Sequence, residues 1–96
     1  MEIEDVLTTV KSLKGQIRQN YKAQIIGFFG SYVRGDQSGR SDIDILVDFD
    51  HGADLFDFVG LSQFLEQRLG CRVDVVALSS LREEIRPHVL KEAVYL

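Results

Sequence analysis

Residues 30–49 read Gly-Ser-Tyr-Val-Arg-Gly-Asp-Gln-Ser-Gly-Arg-Ser-Asp-Ile-Asp-Ile-Leu-Val-Asp-Phe, and this stretch decides the fold. Its second half alternates in the period of a β-strand. Ile43, Ile45, Val47 and Phe49 share one face, and Asp42, Asp44 and Asp48 share the other with Leu46. The spacing predicts a strand over 42–49 with an apolar face and an aspartate face. Just upstream, residues 23–29 (Ala-Gln-Ile-Ile-Gly-Phe-Phe) form a short apolar run, which predicts a buried strand. Gly30-Ser31 breaks it. Gly35, Ser38, Gly39 and Ser41 then make 31–41 a short helical turn followed by a loop.

Working outward, Ile3, Val6, Leu7, Val10, Leu13 and Ile17 recur at helical spacing and predict an amphipathic helix over 2–20. Asp50-His51-Gly52 is a turn. Asp54 can cap a helix running to Leu69, and Gly70 ends it. Residues 71–78 predict another strand, with Asp74, Val76 and Leu78 on one face. Ser79 or Ser80 can cap a short helical segment, which Pro87 interrupts, and a last helix covers about 88–95. Helix, strand, turn, strand, helix, strand, helix is the order of an α/β (α+β) protein, a small mixed sheet with helices packed on it. The 96 residues are read as one domain spanning 1–96.

Composition narrows the function. The net charge is −4 and the pI near 5.0, so a broad electrostatic grip on nucleic acid is not expected. No apolar run approaches the roughly 20 residues of a membrane span, and the acidic start lacks the layout of a signal peptide. Cys71 is the sole cysteine, so no internal disulfide forms and a cytoplasmic location is the expectation.

The chemistry lies in the aspartates. Asp42 and Asp44 project from the same face of one strand, where they repel each other unless a cation intervenes. Hard carboxylate oxygens without a His or Cys cluster favour Mg²⁺ or Mn²⁺ over Zn²⁺. If the strand that carries Asp74 pairs beside the first, Asp74 joins the same cluster. Three carboxylates with two metals suit phosphoryl and nucleotidyl transfer. Taken singly, paired strand aspartates are usually solvated, a Gly-Ser is a common turn, and a lone Arg is a surface charge. Here they coincide. Gly30-Ser31 follows an apolar strand, where small residues let backbone N–H groups approach a phosphate, and Arg34 follows one helical turn later. Arg40 precedes Ser41-Asp42 and either contacts phosphate or neutralises the aspartates.

Phe29-Gly30-Ser31, ten further residues and then Asp42-Ile43-Asp44-Ile45 resemble the signature of the polymerase-beta-type nucleotidyltransferases. The string from Gly30 to Phe49 and the ending Ile85–Leu96 are similar to their minimal nucleotidyltransferase (MNT) branch, and the resemblance covers nearly the whole chain. It implies a small palm-like fold, binding of a nucleotide triphosphate, ATP as substrate, and two Mg²⁺ ions. Ser31 would contact the triphosphate, Asp42 and Asp44 would hold both metals, and Asp74 would hold the catalytic metal and orient or deprotonate the acceptor hydroxyl. Many members of the branch are paired with a HEPN-domain ribonuclease toxin and act as its antitoxin, in studied cases by transferring AMP to a toxin tyrosine. The resemblance thus implies a HEPN toxin partner, with homo- or hetero-oligomers both open. Two alternatives remain beside it. One is transfer to a small molecule, although relatives that do this carry an added helical domain. The other is an antitoxin that only occludes its toxin.

His51, His88, Cys71, Tyr32 and Asp48 are read as structural or surface residues. On the 54–69 helix, Leu55, Phe58, Val59, Leu65 and Leu69 form the expected core stripe. Phe56, Leu61 and Phe64 fall largely outside it, so either the helix is buried on more than one side within the domain or these residues form a partner or dimer surface.

Overall fold

In the computed structural model, residues 2–34 and 42–96 are described, the side chain of Ser31 excepted. The chain opens with helix α1 (Ile3–Tyr21) and turns at Lys22, in the left-handed conformation, into strand β1 (Ala23–Phe29). The one-turn helix α2 (Ser31–Arg34) follows, then β2 (Ile43–Phe49), α3 (Leu55–Leu69) and β3 (Val73–Ala77). A 3₁₀ turn over Leu78–Ser80, helix α4 (Arg86–Glu92) and a two-residue strand β4 (Val94–Tyr95) complete it. The four strands form one mixed sheet in the order β3-β2-β1-β4. β1 is antiparallel to both β2 and β4, and β2 is parallel to β3.

The apolar stripe of α1 buries Val6, Val10, Leu13 and Ile17 against the sheet. They meet Ile43, Ile45 and Val47 of β2, and Leu61, Phe64, Leu65 and Leu69 of α3, in one core. A smaller cluster of Leu46, Leu81 and Val89 covers part of the opposite face. Ile43, Ile45 and Val47 face the main core as the alternation predicts, but the aspartate face is covered in part as well, because Leu46 is fully buried there while Asp44 and Asp48 stay outside the apolar cover.

α3 starts at a capping box. The Asp54 carboxylate accepts from the Asp57 N–H and the Asp57 carboxylate accepts from the Asp54 N–H, each at 3.0 Å. Gly70, at φ 69°, closes the helix as expected. Its buried face differs from the stripe read in sequence. Leu61 and Phe64 are core residues, whereas Leu55 and Val59 are exposed at 72% and 44%. The helix is apolar on several sides, so periodicity alone did not fix which side docks; packing on α1 and the sheet did. Phe56, at 86% exposure, does project outward as the sequence suggested.

The C-terminal segment needs two corrections. Pro87 does not interrupt a helix but lies in the first turn of α4, where the missing N–H would have no intrahelical acceptor anyway. The helix ends at Glu92, and the last residues become β4. Gly27 makes room for that strand, because a Cβ there would lie 2.5 Å from the Val94 carbonyl oxygen. The β1–β2 register also shifts between Ile25 and Gly27. No helix among the described residues is long and apolar enough to cross a membrane.

Candidate active site

The parallel register of β2 and β3 brings the carboxylates together. Asp44 lies directly beside Asp74, flanked by the Ile43–Val73 and Ile45–Val75 pairs. Two bonds hold that register at its start. The Ile43 N–H donates to the Arg72 carbonyl at 3.0 Å, and the Val73 N–H donates to the Glu66 carboxylate at 3.1 Å, which ties β3 to the end of α3. Asp74 thus joins Asp44, the neighbour relation that the sequence reading left conditional.

The Asp74 carboxyl lies close enough to act on Asp44 by its charge and by hydrogen bonding. Burial first, then the Asp74 charge and that hydrogen bond, then Asp42, push the Asp44 pKa up to about 6, while Arg34 pulls it down. Asp42, just before β2, lies further out and faces Arg72 at 3.6 Å. It still adds to the negative field at Asp44. Among the described residues no three candidate ligands stand close enough to form a ready-made metal cage. The donor set nonetheless suits a hard divalent cation: oxygen ligands only, crowded enough that Asp44 holds its proton well above the ordinary carboxylate range, a proton such a cation would replace.

Gly30 closes the site from the β1 side. The end of β1 pairs with the start of β2, Phe29 opposite Asp44. Gly30 takes φ 83°, a left-handed conformation, and a Cβ on it would overlap the Asp44 carboxylate. Glycine is therefore required twice over, by the backbone and by the carboxylate. The Arg34 N–H donates to the Gly30 carbonyl at 3.2 Å and closes the single turn of α2, whose first residue is Ser31.

Arg34 is close enough for its charge to act on Asp44, but its guanidinium donates to the Glu92 carboxylate of α4 at 2.6 Å. His88 approaches the other oxygen of Glu92 at 3.2 Å. Sequence reasoning singled out Arg34 and overlooked Glu92, since nothing in the linear chain joins positions 58 residues apart. Arg40 lies outside the described residues.

A carboxylate pair facing across two parallel strands, with a tight glycine turn pressed against it, defines the palm of a nucleotidyl-transfer enzyme. The chain belongs to the nucleotidyltransferase domain family, which it matches over residues 10–96. It is 46% identical over 95 residues to the protein adenylyltransferase MntA of Thermococcus cleftensis, covering 99% of this chain and 93% of that protein. Its fold superposes on a solved minimal nucleotidyltransferase with a TM-score of 0.83 at 35% identity, over 100% of this chain and 97% of the other. It also resembles the solved complex of a tri-AMPylated Shewanella oneidensis HEPN toxin with its MNT antitoxin. There the TM-score is 0.62 and the identity 27%, over 93% of this chain and 68% of that one. The mixed sheet with helices is thus the minimal nucleotidyltransferase fold, and the chain is a nucleotidyltransferase.

Proposed function

We propose that this enzyme transfers AMP from ATP to a hydroxyl of a protein partner, and that the partner is a HEPN-type toxin which it neutralises as an antitoxin. The observation that carries this reading is the in-register Asp44–Asp74 pair beside Gly30, in a chain whose relatives are protein adenylyltransferases. Asp42, Asp44 and Asp74 would hold Mg²⁺, which when bound offsets the charge of the triphosphate and makes the acceptor oxygen a better nucleophile. The turn at Gly30 and Ser31 would offer backbone N–H groups to the triphosphate, with Ser31 as the proposed contact. Arg34 adds positive charge beside Asp44, and Arg40, outside the described residues, is the second proposed phosphate contact. Asp74 acts at the acceptor. Its carboxylate takes the hydroxyl proton as the oxygen attacks the α-phosphorus. A new P–O bond forms, the bond from the α-phosphorus to the bridging oxygen breaks, and pyrophosphate leaves. The need for ATP puts this chemistry in the cytoplasm.

The test is to incubate the protein with Mg²⁺, ATP and the product of the adjacent gene, then weigh that product by intact mass spectrometry. An AMP-sized gain is expected. Asp74→Asn should suppress transfer by about 10²-fold or more, as loss of a general base does, while leaving ATP binding largely in place. Neutralisation with no mass gain, unaffected by Asp74→Asn, would establish occlusion instead.

A further inference from the structure

Arg34 ends a helix too short to hold its side chain in place. α2 runs from Ser31 to Arg34 and closes a single turn, so the arginine stands on little internal structure. Its long stem has several rotatable bonds, and ordering them costs rotamer entropy. Glu92 supplies an anchor. Its carboxylate accepts from the Arg34 guanidinium at 2.6 Å, across 58 residues of chain. The other carboxylate oxygen stands 3.2 Å from His88 Nε2, one turn earlier on α4.

Glu92 is itself placed by the sheet. It is the last residue of α4, and the chain passes almost at once into β4. β4 runs antiparallel to β1, Tyr95 beside Gly27 and Val94 beside Phe28. Counted on by two residues, that register sets Glu92 level with Gly30. The Leu96 N–H donates to the Ile26 carbonyl at 3.2 Å, and the Tyr95 hydroxyl ties β4 back to α4 through the Leu90 carbonyl. The C-terminal segment thus delivers a carboxylate to the glycine turn.

The Arg34–Glu92 pair does little for folding. Both side chains reach solvent, Arg34 at 49% and Glu92 at 22%, and exposed pairs add little stability. What the pair fixes is direction. A guanidinium carries five N–H donors in a rigid planar fork, so fastening one sets where the others point. The same guanidinium lies near enough for its charge to act on Asp44.

We propose that Glu92 is a positioning residue for the nucleotide: it presents the Arg34 guanidinium to the triphosphate, so that a carboxylate which does not itself touch ATP sets the affinity for it. This rests on the reading that the triphosphate lies at Gly30, Ser31 and Arg34. A carboxylate standing alone there would repel the triphosphate, and held on Arg34 its charge is offset.

Calorimetry with Mg²⁺-ATP on the whole protein tests this and needs no acceptor. Glu92→Ala should weaken binding about tenfold, the scale on which loss of an orienting partner acts at a ligand site. Arg34→Ala should weaken it at least as much. The double variant should lose no more than Arg34→Ala alone, because Glu92 acts through Arg34. Glu92→Gln, which keeps an acceptor oxygen, should recover most of the loss. The Leu96 amide should keep its hydrogen-exchange protection throughout, which separates lost aim from a loosened β4. Unchanged or tighter ATP binding by Glu92→Ala, or losses that add in the double variant, would each overturn the proposal and leave the triphosphate placement standing. Loss of Leu96 protection in both Glu92 variants would assign Glu92 to holding β4 and overturn it as well. ATP affinity untouched by Arg34→Ala would overturn the triphosphate placement, and the proposal with it.

Discussion

Among the described residues Asp44 carries the largest electrostatic conflict, and its consequence is a pH dependence. Its carboxyl titrates near 6 in the folded protein rather than at the ordinary 3.8. The folded state therefore holds a proton that the unfolded state has released over that interval. Stability is fully present below the ordinary carboxylate range and is lost as pH rises through about 6. Without divalent cations, thermal melts should fall from pH 4.5 to 7.5. Asn in place of Asp44 should flatten that fall and raise the melting temperature at pH 7.5 by about 5 °C, the effect of roughly 1 kcal/mol in a domain of this size, since water screens a half-exposed carboxylate. If Asp44→Asn melts with the same pH profile in EDTA, the group responsible for the fall is not Asp44. The aspartates could be nominated from sequence because alternation assigns each to a face. That Asp44 touches Asp74 while Asp42 leans toward Arg72 depends on strand register and could not be read there.

Among the elements, those with local signals were legible. α1 follows from its apolar stripe, and α3 from Asp54 at one end and Gly70 at the other. β4 has no such signal: a two-residue strand has no period to detect, and Val94 pairs only because β1 offers Phe28 an unoccupied side. Gly27 was the one hint, a glycine inside a strand run, which often marks a bulge or a close backbone approach. Replacing Gly27 with Ala should push Val94 away from its 2.5 Å limit and loosen β4. The Leu96 amide, bonded to Ile26, should lose hydrogen-exchange protection, and stability should drop by about 1–3 kcal/mol, as overpacking costs. Unchanged protection at Leu96 would mean that β4 shifts as a unit without strain.

At the scale of the whole molecule, α1, α3 and the sheet depend on one apolar centre. Leu65 is fully buried there between Ile17, Ile45 and their neighbours. Truncation to Ala should cost about 2–5 kcal/mol, against a total of roughly 5–14 kcal/mol for a chain this long. Urea denaturation should show its midpoint falling by about a seventh or more with little change in slope. A shift under 1 kcal/mol would mean that the α1–α3 seam collapses around the missing side chain.

The amino-acid sequence by itself determined the types of α1, β1, β2, α3 and β3 and the glycine turn, and it nominated the three aspartates. Each of these is set within a few residues, by period, cap or backbone conformation. Tertiary structure alone decided which face of α3 is core, where the chain after Ala77 turns back, and that Glu92 meets Arg34. Each of those depends on groups far apart in the chain, whose encounter costs loop entropy and is stabilised only by packing that no local pattern encodes.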